Sequence, residues 1–355
     1  MHDVQSEYAH VSSDHQVYLC NITYTNIYST VDEAKSRDHS TKTPIRGIPE
    51  AVQVVTIMLS RSECGESLRA LYPANTGYFF HLIVLTRGGQ LIIINREHPT
   101  GFILKTDNDL EDTVRSYDIG KIKYIYKWSN IHGTRLVLVN TKNVMFMEDI
   151  FRVLSDSEYN QVDHLFAQSW ESVTCISCWM NKLWWCDDSN NLYSYSNQSA
   201  EVVEICKHKL EFQVEFIHHR FCVHGQRVYQ LGASGSQSPV LLFEVDHKII
   251  DIKKNIVTRM IDILDDNGLI HSYSHENEEY REIIDDNREA RFVTIGDDND
   301  ASHWIEYADG QVIHSSGTEL KLPYQLLNLN EYNRSISQSR IRSANMRLNR
   351  KYLTI

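Results

Sequence analysis

The chain has 355 residues, of which 42% are hydrophobic and 23% charged, a composition that excludes a disordered or collagen-like protein. A net charge of −12 argues against a surface that binds nucleic acid over its whole extent. The longest apolar runs, such as LIVL and LIIIN, are far shorter than the roughly 18 to 20 residues that span a membrane, so we expect no membrane segment.

One short pattern recurs seven times along the chain: a polar or glycine turn followed by an apolar residue that begins a strand. The apolar residues are Val17, Leu91, Val144, Leu192, Val228, Leu269 and Val312. Their intervals range from 36 to 74 residues, and most lie near the roughly 40 to 50 residues of a four-stranded propeller blade.

Strand-like runs flank these turns in groups of four. The first complete group begins at VQVVTIML and carries a polar insertion at about residues 60–77. Five more begin at KIKYIYKW, VTCISCWM, QVEFIHH, IIDIKKNI and RFVTIGDD. Helical periodicity is confined to residues 157–168 and the C-terminal tail, so the chain is predicted to be all-β.

Two terminal pieces are left over. EYAHVS, QVYLCN and NIYST form three strands of a blade without its first strand, and KYLTI at the C-terminus is a strand without a partner. A ring of sheets must close, because an open edge leaves backbone groups unpaired. The sequence therefore predicts a single domain, residues 1–355: a seven-bladed β-propeller closed by pairing N- and C-terminal strands in one blade. KYLTI or a neighbouring run supplies the innermost strand. The alternative is a six-bladed ring with a separate N-terminal hairpin.

Residues 31–50 are polar, contain two prolines and are predicted to form a long loop. The seven cysteines are odd in number and scattered, and the N-terminus lacks a signal-peptide pattern, which favours reduced thiols in the cytoplasm or nucleus. Cys175 and Cys178 have a spacing found in zinc sites. They lie in a predicted strand, however, where residues three apart point to opposite faces. We therefore expect buried thiols, with no metal site and no cofactor.

Two segments resemble known repeats. HGQRVYQLGASGSQ resembles the core of the regulator-of-chromosome-condensation repeat, with QVYLC and DGQVIHS as weaker matches, and WWCDDSNNLYSYS is similar to a WD-type repeat. Both families are seven-bladed propellers, so the resemblance implies that fold, although neither signature recurs regularly and no specific family is identified. The resemblance also implies an alternative function, a regulator of a small GTPase or a chromatin-associated factor, with residues 60–77 as an inserted wedge.

Acidic residues gather in turns that a propeller would place on one rim. The turns between second and third strands hold Asp187, Asp188, Asp265, Asp266 and Asp309, and a link between blades holds Asp109, Glu111 and Asp112. Such a face would attract basic segments of other proteins. Aspartate also favours turns for a simpler reason, because its side chain accepts hydrogen bonds from nearby backbone amides.

The segment 334–351 is basic and contains no Asp or Glu. Its arginines include Arg340, Arg342, Arg347 and Arg350. It can bind an acidic partner or nucleic acid, or it can cross the acidic face of its own chain.

Catalytic motifs are absent from the sequence: there is no phosphate loop, dinucleotide fingerprint, nucleophile elbow or H-E-x-x-H. The predicted innermost strands are mostly apolar, which disfavours an enzyme with its site in a central channel. We therefore expect no catalytic residues and predict a non-catalytic scaffold that mediates protein–protein interactions within a multi-subunit complex.

Overall fold

The structure is a computed structural model, and it describes a large part of the chain. The described residues are 2–26, 42–45, 48, 50–60, 78–95, 114–115, 120–130, 133–149, 169–179, 182–197, 203–232, 238–254, 259–276, 279–286, 288–293, 303–314, 319–328 and 332. Within these ranges the backbone is almost entirely strand and turn, as predicted for an all-β protein. No helix in them has the length and apolar character needed to cross a membrane.

The described strands form seven small antiparallel sheets, here numbered in chain order. Sheet 1 has three strands: β1 (His2–Val11), β2 (Val17–Asn26) and β3 (Lys42–Ile45). Sheet 2 has β4 (Ala51–Ser60), β5 (Tyr78–Thr86), β6 (Leu91–Asn95) and β7 (Val114–Arg115). Sheet 3 has β8 (Ile122–Asn130), β9 (Gly133–Asn140), β10 (Met145–Asp149) and β11 (Ser169–Trp170). Sheet 4 has β12 (Val173–Trp179), β13 (Lys182–Asp187), β14 (Asn191–Asn197) and β15 (Val203–Lys209).

The three remaining sheets also have four strands each, and in every sheet each strand pairs with the next along the chain. Sheet 5 has β16 (Phe216–His218), β17 (Phe221–His224), β18 (Arg227–Gln230) and β19 (Val240–Glu244). Sheet 6 has β20 (Ile249–Lys254), β21 (Ile261–Asp265), β22 (Ile270–Glu276) and β23 (Glu279–Asp286). Sheet 7 has β24 (Ala290–Val293), β25 (Trp304–Tyr307), β26 (Gln311–His314) and β27 (Glu319–Lys321).

The prediction of a loop over residues 31–50 is wrong for its last part. Lys42–Ile45 form β3, which pairs with the first half of β2, and the side chain of Ile45 is buried. Pro44 is tolerated there because an edge strand leaves one row of its amides without ladder bonds. Residues 61–77, 157–168 and 333–355, which include the predicted insertion, the helical candidates, the basic segment and KYLTI, lie outside the described residues.

Six of the sheets share one five-residue turn between two strands, at residues 12–16, 86–90, 140–144, 187–191, 265–269 and 307–311. In each turn the N–H of the fourth residue donates to the carbonyl of the first. The fourth residue always has a positive φ, and is glycine, asparagine or histidine. In the first five turns the side chain of the first residue accepts the N–H of the fifth. We call these five the capped turns, and the end of the sheets where they lie the turn end.

Backbone hydrogen bonds at the turn end connect sheets 1 and 2, 3 and 4, 5 and 6, and 6 and 7. The carbonyl of the positive-φ residue accepts the first N–H of the next sheet. The N–H of Ala51 donates to the His15 carbonyl (3.0 Å), and the N–H of Val173 donates to the Asn143 carbonyl (2.8 Å). The bond from Ala290 to Gly268 (2.8 Å) joins sheets 6 and 7 in the same way. Consecutive sheets are therefore neighbours in space.

The apolar core lies between consecutive sheets as a series of separate clusters. For example, Ile57 and Leu91 of sheet 2 pack against Ile125 and Leu138 of sheet 3. Equivalent clusters join sheets 1 and 2, 3 and 4, 4 and 5, 5 and 6, and 6 and 7. Burial of each such aliphatic side chain contributes about 1.5 to 3 kcal/mol relative to exposure, so the stacking of sheets stabilises the fold.

The segment after β27 returns to sheet 1. Ser12 and Leu326 form an antiparallel bridge, flanked by hydrogen bonds from Ser13 N–H to the Gln325 carbonyl (2.8 Å) and from Leu327 N–H to the Val11 carbonyl (2.9 Å). In the other sheets that have this turn, the first turn residue pairs with the first residue of the first strand in the same register, as Thr86 does with Ala51. Residues 325–327 therefore lie beside β1 in the register of a first strand.

Candidate functional site

The carboxylates of Asp187 and Asp265 point into their own capped turns. Asp187 Oδ1 accepts the N–H groups of Ser189 (2.9 Å) and Asn191 (2.8 Å), and its Oδ2 accepts the hydroxyl of Tyr193 (3.0 Å). Asp265 Oδ1 accepts the N–H groups of Asn267 (2.9 Å) and Leu269 (2.8 Å). Both side chains therefore accept hydrogen bonds from backbone amides of their own turns. This is the simpler of the two roles that the sequence left open, the other being to attract basic segments of other proteins.

The same contacts set the charge of these two groups. Burial is the largest single influence and raises the pKa of each carboxyl, but the several hydrogen bonds together outweigh it and leave each pKa below its usual value of 3.8. Both groups are consequently ionised at neutral pH. Asp265 is 1% exposed, so its charge acts on the turn and its neighbours rather than on solvent.

Asp188, Asp266 and Asp309 occupy the same turns but are exposed. Asp309 Oδ1 accepts the N–H of Gln311 (2.9 Å) and Asp188 Oδ1 accepts the hydroxyl of Ser189 (3.3 Å), contacts that leave each carboxylate open to water. Of the other predicted site residues, Asp109, Glu111, Asp112, Arg340, Arg342, Arg347 and Arg350 lie outside the described residues.

Among the described residues at the turn end, exposed carboxylates outnumber exposed basic side chains on sheets 4 to 7. Their described exposed carboxylates, here called the acidic sector, are Glu171, Asp188, Glu211, Glu215, Glu244, Asp246, Asp266, Glu289 and Asp309. The exposed basic side chains at the same end are Lys209, Arg227, Lys248 and Arg288. At sheets 1 to 3 the described exposed charges do not favour acid, with Asp14 and Glu50 against Arg87, Lys121 and Lys142.

A cavity of about 480 Å³ lies against the first strands of sheets 3 to 6. Contrary to the expectation of apolar inner strands, its lining includes Lys123, Glu215, Asp251 and Lys253 together with tyrosine and histidine side chains. The expectation fails because successive side chains of a strand point to opposite faces. Ile252 of β20 is buried between sheets, while its neighbours Asp251 and Lys253 face the cavity.

His218 and His219 line the same cavity, with ring centroids 4.8 Å apart. Adjacent side chains of a regular strand point to opposite faces, but β16 ends at His218 and His219 has a φ of 52° in the following turn. Burial, followed by the charge of Lys254, lowers the pKa of His219 to about 4. Burial likewise lowers the pKa of His218, so both rings are neutral at neutral pH.

Ser272, Asp262 and His303 form a buried group that superficially resembles a catalytic triad. The Ser272 hydroxyl donates to Asp262 Oδ1 (2.6 Å), and His303 Nε2 bonds to Asp262 Oδ2 (2.8 Å). The serine is thus bound to the carboxylate and not to the imidazole, so this histidine is not placed to remove its proton. The contacts connect sheet 6 to sheet 7 and give hydrogen-bond partners to the Ser272 hydroxyl, the Asp262 carboxylate and His303 Nε2.

The two cysteines with zinc-like spacing do separate onto opposite faces. Cys175 packs with the cluster between sheets 4 and 5, whereas Cys178 packs with the cluster between sheets 3 and 4. Burial raises the pKa of the Cys178 thiol to about 12, so it remains protonated. Cys175 and Cys178 are both free thiols, as are Cys186 and Cys222.

No protein-family model matches the chain, and no curated protein matches it. The solved structures similar to it include the C-terminal WD40 domain of Sif2, at 10% identity over 88% of this chain and 83% of that chain, with a TM-score of 0.47. Hsv2 from Kluyveromyces marxianus is similar at 9% identity over 89% and 99%, with a TM-score of 0.47. A chain of the mitotic checkpoint complex gives 9% identity over 86% and 82%, with a TM-score of 0.49. One of these structures is a WD40 domain, and a WD-type repeat is one of the two repeats that the sequence resembles. No family is identified for the chain.

Proposed function

We propose that this chain is a non-catalytic scaffold that binds basic segments of partner proteins at its acidic sector. The observation that carries the proposal is the charge of the described residues at the turn end of sheets 4 to 7, where nine exposed carboxylates stand against four exposed basic side chains. Charges arranged in this way attract a basic segment over several ångströms of water and orient it before contact.

A scaffold needs a rigid platform, and we propose that the seven sheets form one as a closed seven-bladed propeller. Leu326 packs in the core of sheet 7, while the next residue, Leu327, packs against the clusters between sheets 1 and 2 and between sheets 2 and 3. Two adjacent residues thus join the last sheet to the first. Together with the first-strand register of residues 325–327, this supports closure by a run that precedes KYLTI.

Protein partners suit the acidic sector better than nucleic acid does, because phosphate groups are repelled by carboxylates. The basic segment 334–351 has the opposite character and is the one part of the chain suited to an acidic partner. It is also a basic segment of the same chain, so it can compete with a partner for the sector. The alternative function, a regulator of a small GTPase, depends on residues 60–77, of which the structure describes Ser60 alone.

The test reverses charge inside and outside the sector. The sector variant carries Asp266→Lys and Asp309→Lys, and the control carries Asp14→Lys and Glu50→Lys, with the same change in net charge. The probe is a fluorescent peptide with the sequence of residues 334–351, and binding is measured by anisotropy. We expect affinity for the sector variant to fall by about 10-fold or more, with weaker binding as salt rises, because each exposed pair contributes up to about 1 kcal/mol.

Equal affinities for the sector variant and the control would exclude the acidic sector as the binding surface. A chain that ends at Asn333 distinguishes the two roles of the basic segment. If the segment occupies the sector in its own chain, the shortened chain binds the peptide more tightly than the full chain does. If both bind alike, the sector is open to partners.

A further inference from the structure

Three positions recur around the capped turns of the sheets and meet at the turn end. The first is the opening residue of the turn, the second lies six residues later on the following strand, and the third lies in the link, two residues before the first strand of that sheet. In sheet 1, Leu326 takes the place of the first residue of a first strand, since it pairs with Ser12. The three positions there hold Ser12, Tyr18 and Tyr324, and the two tyrosine rings stack with centroids 4.1 Å apart. In sheet 4 they hold Asp187, Tyr193 and Glu171, and Tyr193 donates to Asp187.

Sheet 6 fills the same three positions with metal-ligating side chains, Asp265, His271 and His247. One ligand atom from each lies within 4.8 Å of the other two. His271 Nε2 is 3.3 Å from Asp265 Oδ2, and the rings of His247 and His271 are stacked with centroids 5.3 Å apart. In a tetrahedral site with bonds of about 2.0 to 2.1 Å, neighbouring ligand atoms lie about 3.3 Å apart, which is the separation already present for one pair.

We propose that His247, Asp265 and His271 bind a divalent cation of the zinc type at the turn end of sheet 6. Two imidazoles and a carboxylate suit zinc and its neighbours among the first-row metals, while calcium and magnesium prefer oxygen ligands alone. No other sheet combines such a set at the equivalent described positions: sheet 3 has Asn140, Phe146 and Gly120, and sheet 7 has Tyr307, Ile313 and Arg288.

The surroundings of the three ligands suit this role. Asp265 and His271 are buried and held in place, whereas His247 is exposed and gives the cation a path from solvent. Asp265 Oδ1 stays bonded to the N–H groups of Asn267 and Leu269, which orient the carboxylate. Oδ2 also accepts Asn267 Nδ2 (3.2 Å) and keeps a further lone pair for the metal. The cation replaces the hydrogen bond between His271 Nε2 and Oδ2. A proton on Nε2 of the neutral ring shifts to Nδ1 through water, whereas a doubly protonated ring releases its Nε2 proton to water. Its fourth position faces solvent and takes a water molecule or a ligand from a partner.

The competing explanation is that the two histidines only stack, as the tyrosines of sheet 1 do. The chain itself supplies substitutions that separate the two explanations. His271→Tyr copies Tyr193 of sheet 4 and keeps a donor for Asp265, while His247→Tyr copies Tyr324 of sheet 1 and keeps the stacked pair. Both variants should fold, and each removes one ligand. His208→Ala, a histidine that contacts Ser238 elsewhere on the surface, is the control.

The experiment titrates the tag-free full chain with Co²⁺ and follows visible absorption, then displaces cobalt with Zn²⁺ to obtain the zinc affinity. We expect one high-affinity site in the wild type and in the His208→Ala control. In His247→Tyr and His271→Tyr the affinity should fall by about 100-fold or more, since loss of second-shell partners alone costs about 10- to 100-fold. Zinc should also raise the melting temperature of the wild type and the control but not of the two ligand variants.

Two results would overturn the proposal. One is a wild-type chain that takes up no cobalt in the micromolar range. The other is uptake that is unchanged in both ligand variants, which would place the bound metal on other groups, such as the free thiols.

Discussion

At the scale of single residues, the capped turns show how one structural role is shared by different side chains. Ser12, Thr86, Asn140 and Asp187 all accept the N–H of the residue four positions later. Any short side chain with an oxygen can do this, so no single residue type is required at the position. The weak, irregular resemblance of the sequence to known repeats follows, because the geometry is repeated while the residues are not.

Asp187 offers a test of this role that does not involve the proposed metal. We expect Asp187→Ala to lower the free energy of unfolding by about 1 to 3 kcal/mol, because it leaves the amides of Ser189 and Asn191 without their acceptor. Asp187→Asn should cost less, since Asn140 fills the same position in sheet 3 and accepts the amides of Lys142 and Val144. Urea unfolding at neutral pH measures both.

The charge of Asp187 adds a dependence on pH. Its folded pKa lies below the ordinary value of 3.8, so ionisation favours the folded state above that value, and this stabilisation is lost as the pH falls through the folded pKa. The stability advantage of the wild type over Asp187→Asn should therefore shrink as the pH falls below about 4. An advantage that stays constant down to pH 2 would show that the hydrogen bonds do not depend on the charge.

At the scale of turns and strands, the fourth residue of each turn has a positive φ, and at Gly89 it also lies close to the next sheet. Gly89 and Gly310 have nearly the same φ, 85° and 86°. A Cβ on Gly89 would lie 2.9 Å from the backbone nitrogen of Ile122 in the next sheet, whereas a Cβ on Gly310 meets nothing within 4 Å. The two glycines therefore separate the cost of the conformation from the cost of sheet-to-sheet contact.

We expect Gly310→Ala to destabilise the protein by about 1 kcal/mol, the cost of placing a Cβ in the left-handed region. Gly89→Ala should cost about 1 to 3 kcal/mol more, because the added methyl group presses on the link between sheets 2 and 3. Chemical denaturation of the two variants gives the difference directly. Equal losses would mean that the link moves freely and that the sheets are not held together at this point.

The sequence predicted the strands better than it predicted their side-chain environments. Val17 and Leu91 begin β2 and β6, as the turn pattern indicates, because polar turns and apolar strands alternate along the chain. It did not predict β3, since the proline and the polar residues of KTPI are typical of a loop. It also did not predict the group of His247, Asp265 and His271, whose members lie in a link, a turn and a strand and meet only after sheet 6 has folded.

The same limit applies to the acidic sector. The turn aspartates were predicted from the sequence, but whether a carboxylate faces solvent or its own turn depends on the turn geometry, which separates exposed Asp266 from buried Asp265. Glu211 and Asp246 were missed because the sequence alone did not show where one sheet ends and the next begins. In the structure, the hydrogen bonds at the turn end show which link residues lie beside which turn, and so where one sheet ends and the next begins.

At the scale of the whole molecule, the contacts of residues 324–327 decide whether the sheets act as one body. Leu326 is 1% exposed, its N–H donates to the buried Glu306 side chain (3.2 Å), and its carbonyl accepts Arg291 (2.9 Å). Tyr324 stacks on Tyr18 and bonds to His10 across the same junction. Sheet 7 is thus attached to sheet 1 by apolar, aromatic and polar contacts at once.

Two truncations test whether this junction closes a ring. A chain that ends at Asn333 keeps residues 324–327 and should unfold cooperatively with nearly the stability of the full chain. A chain that ends at Leu322 loses the junction, so its free energy of unfolding should fall by at least about 3 kcal/mol, the scale of removing one buried leucine with its polar contacts. The shorter chain also exposes the free edge of β1 and should aggregate, which light scattering detects. Matching stability in the two truncations would instead favour a six-bladed ring with a separate N-terminal hairpin, because such a ring needs nothing from residues 323–333.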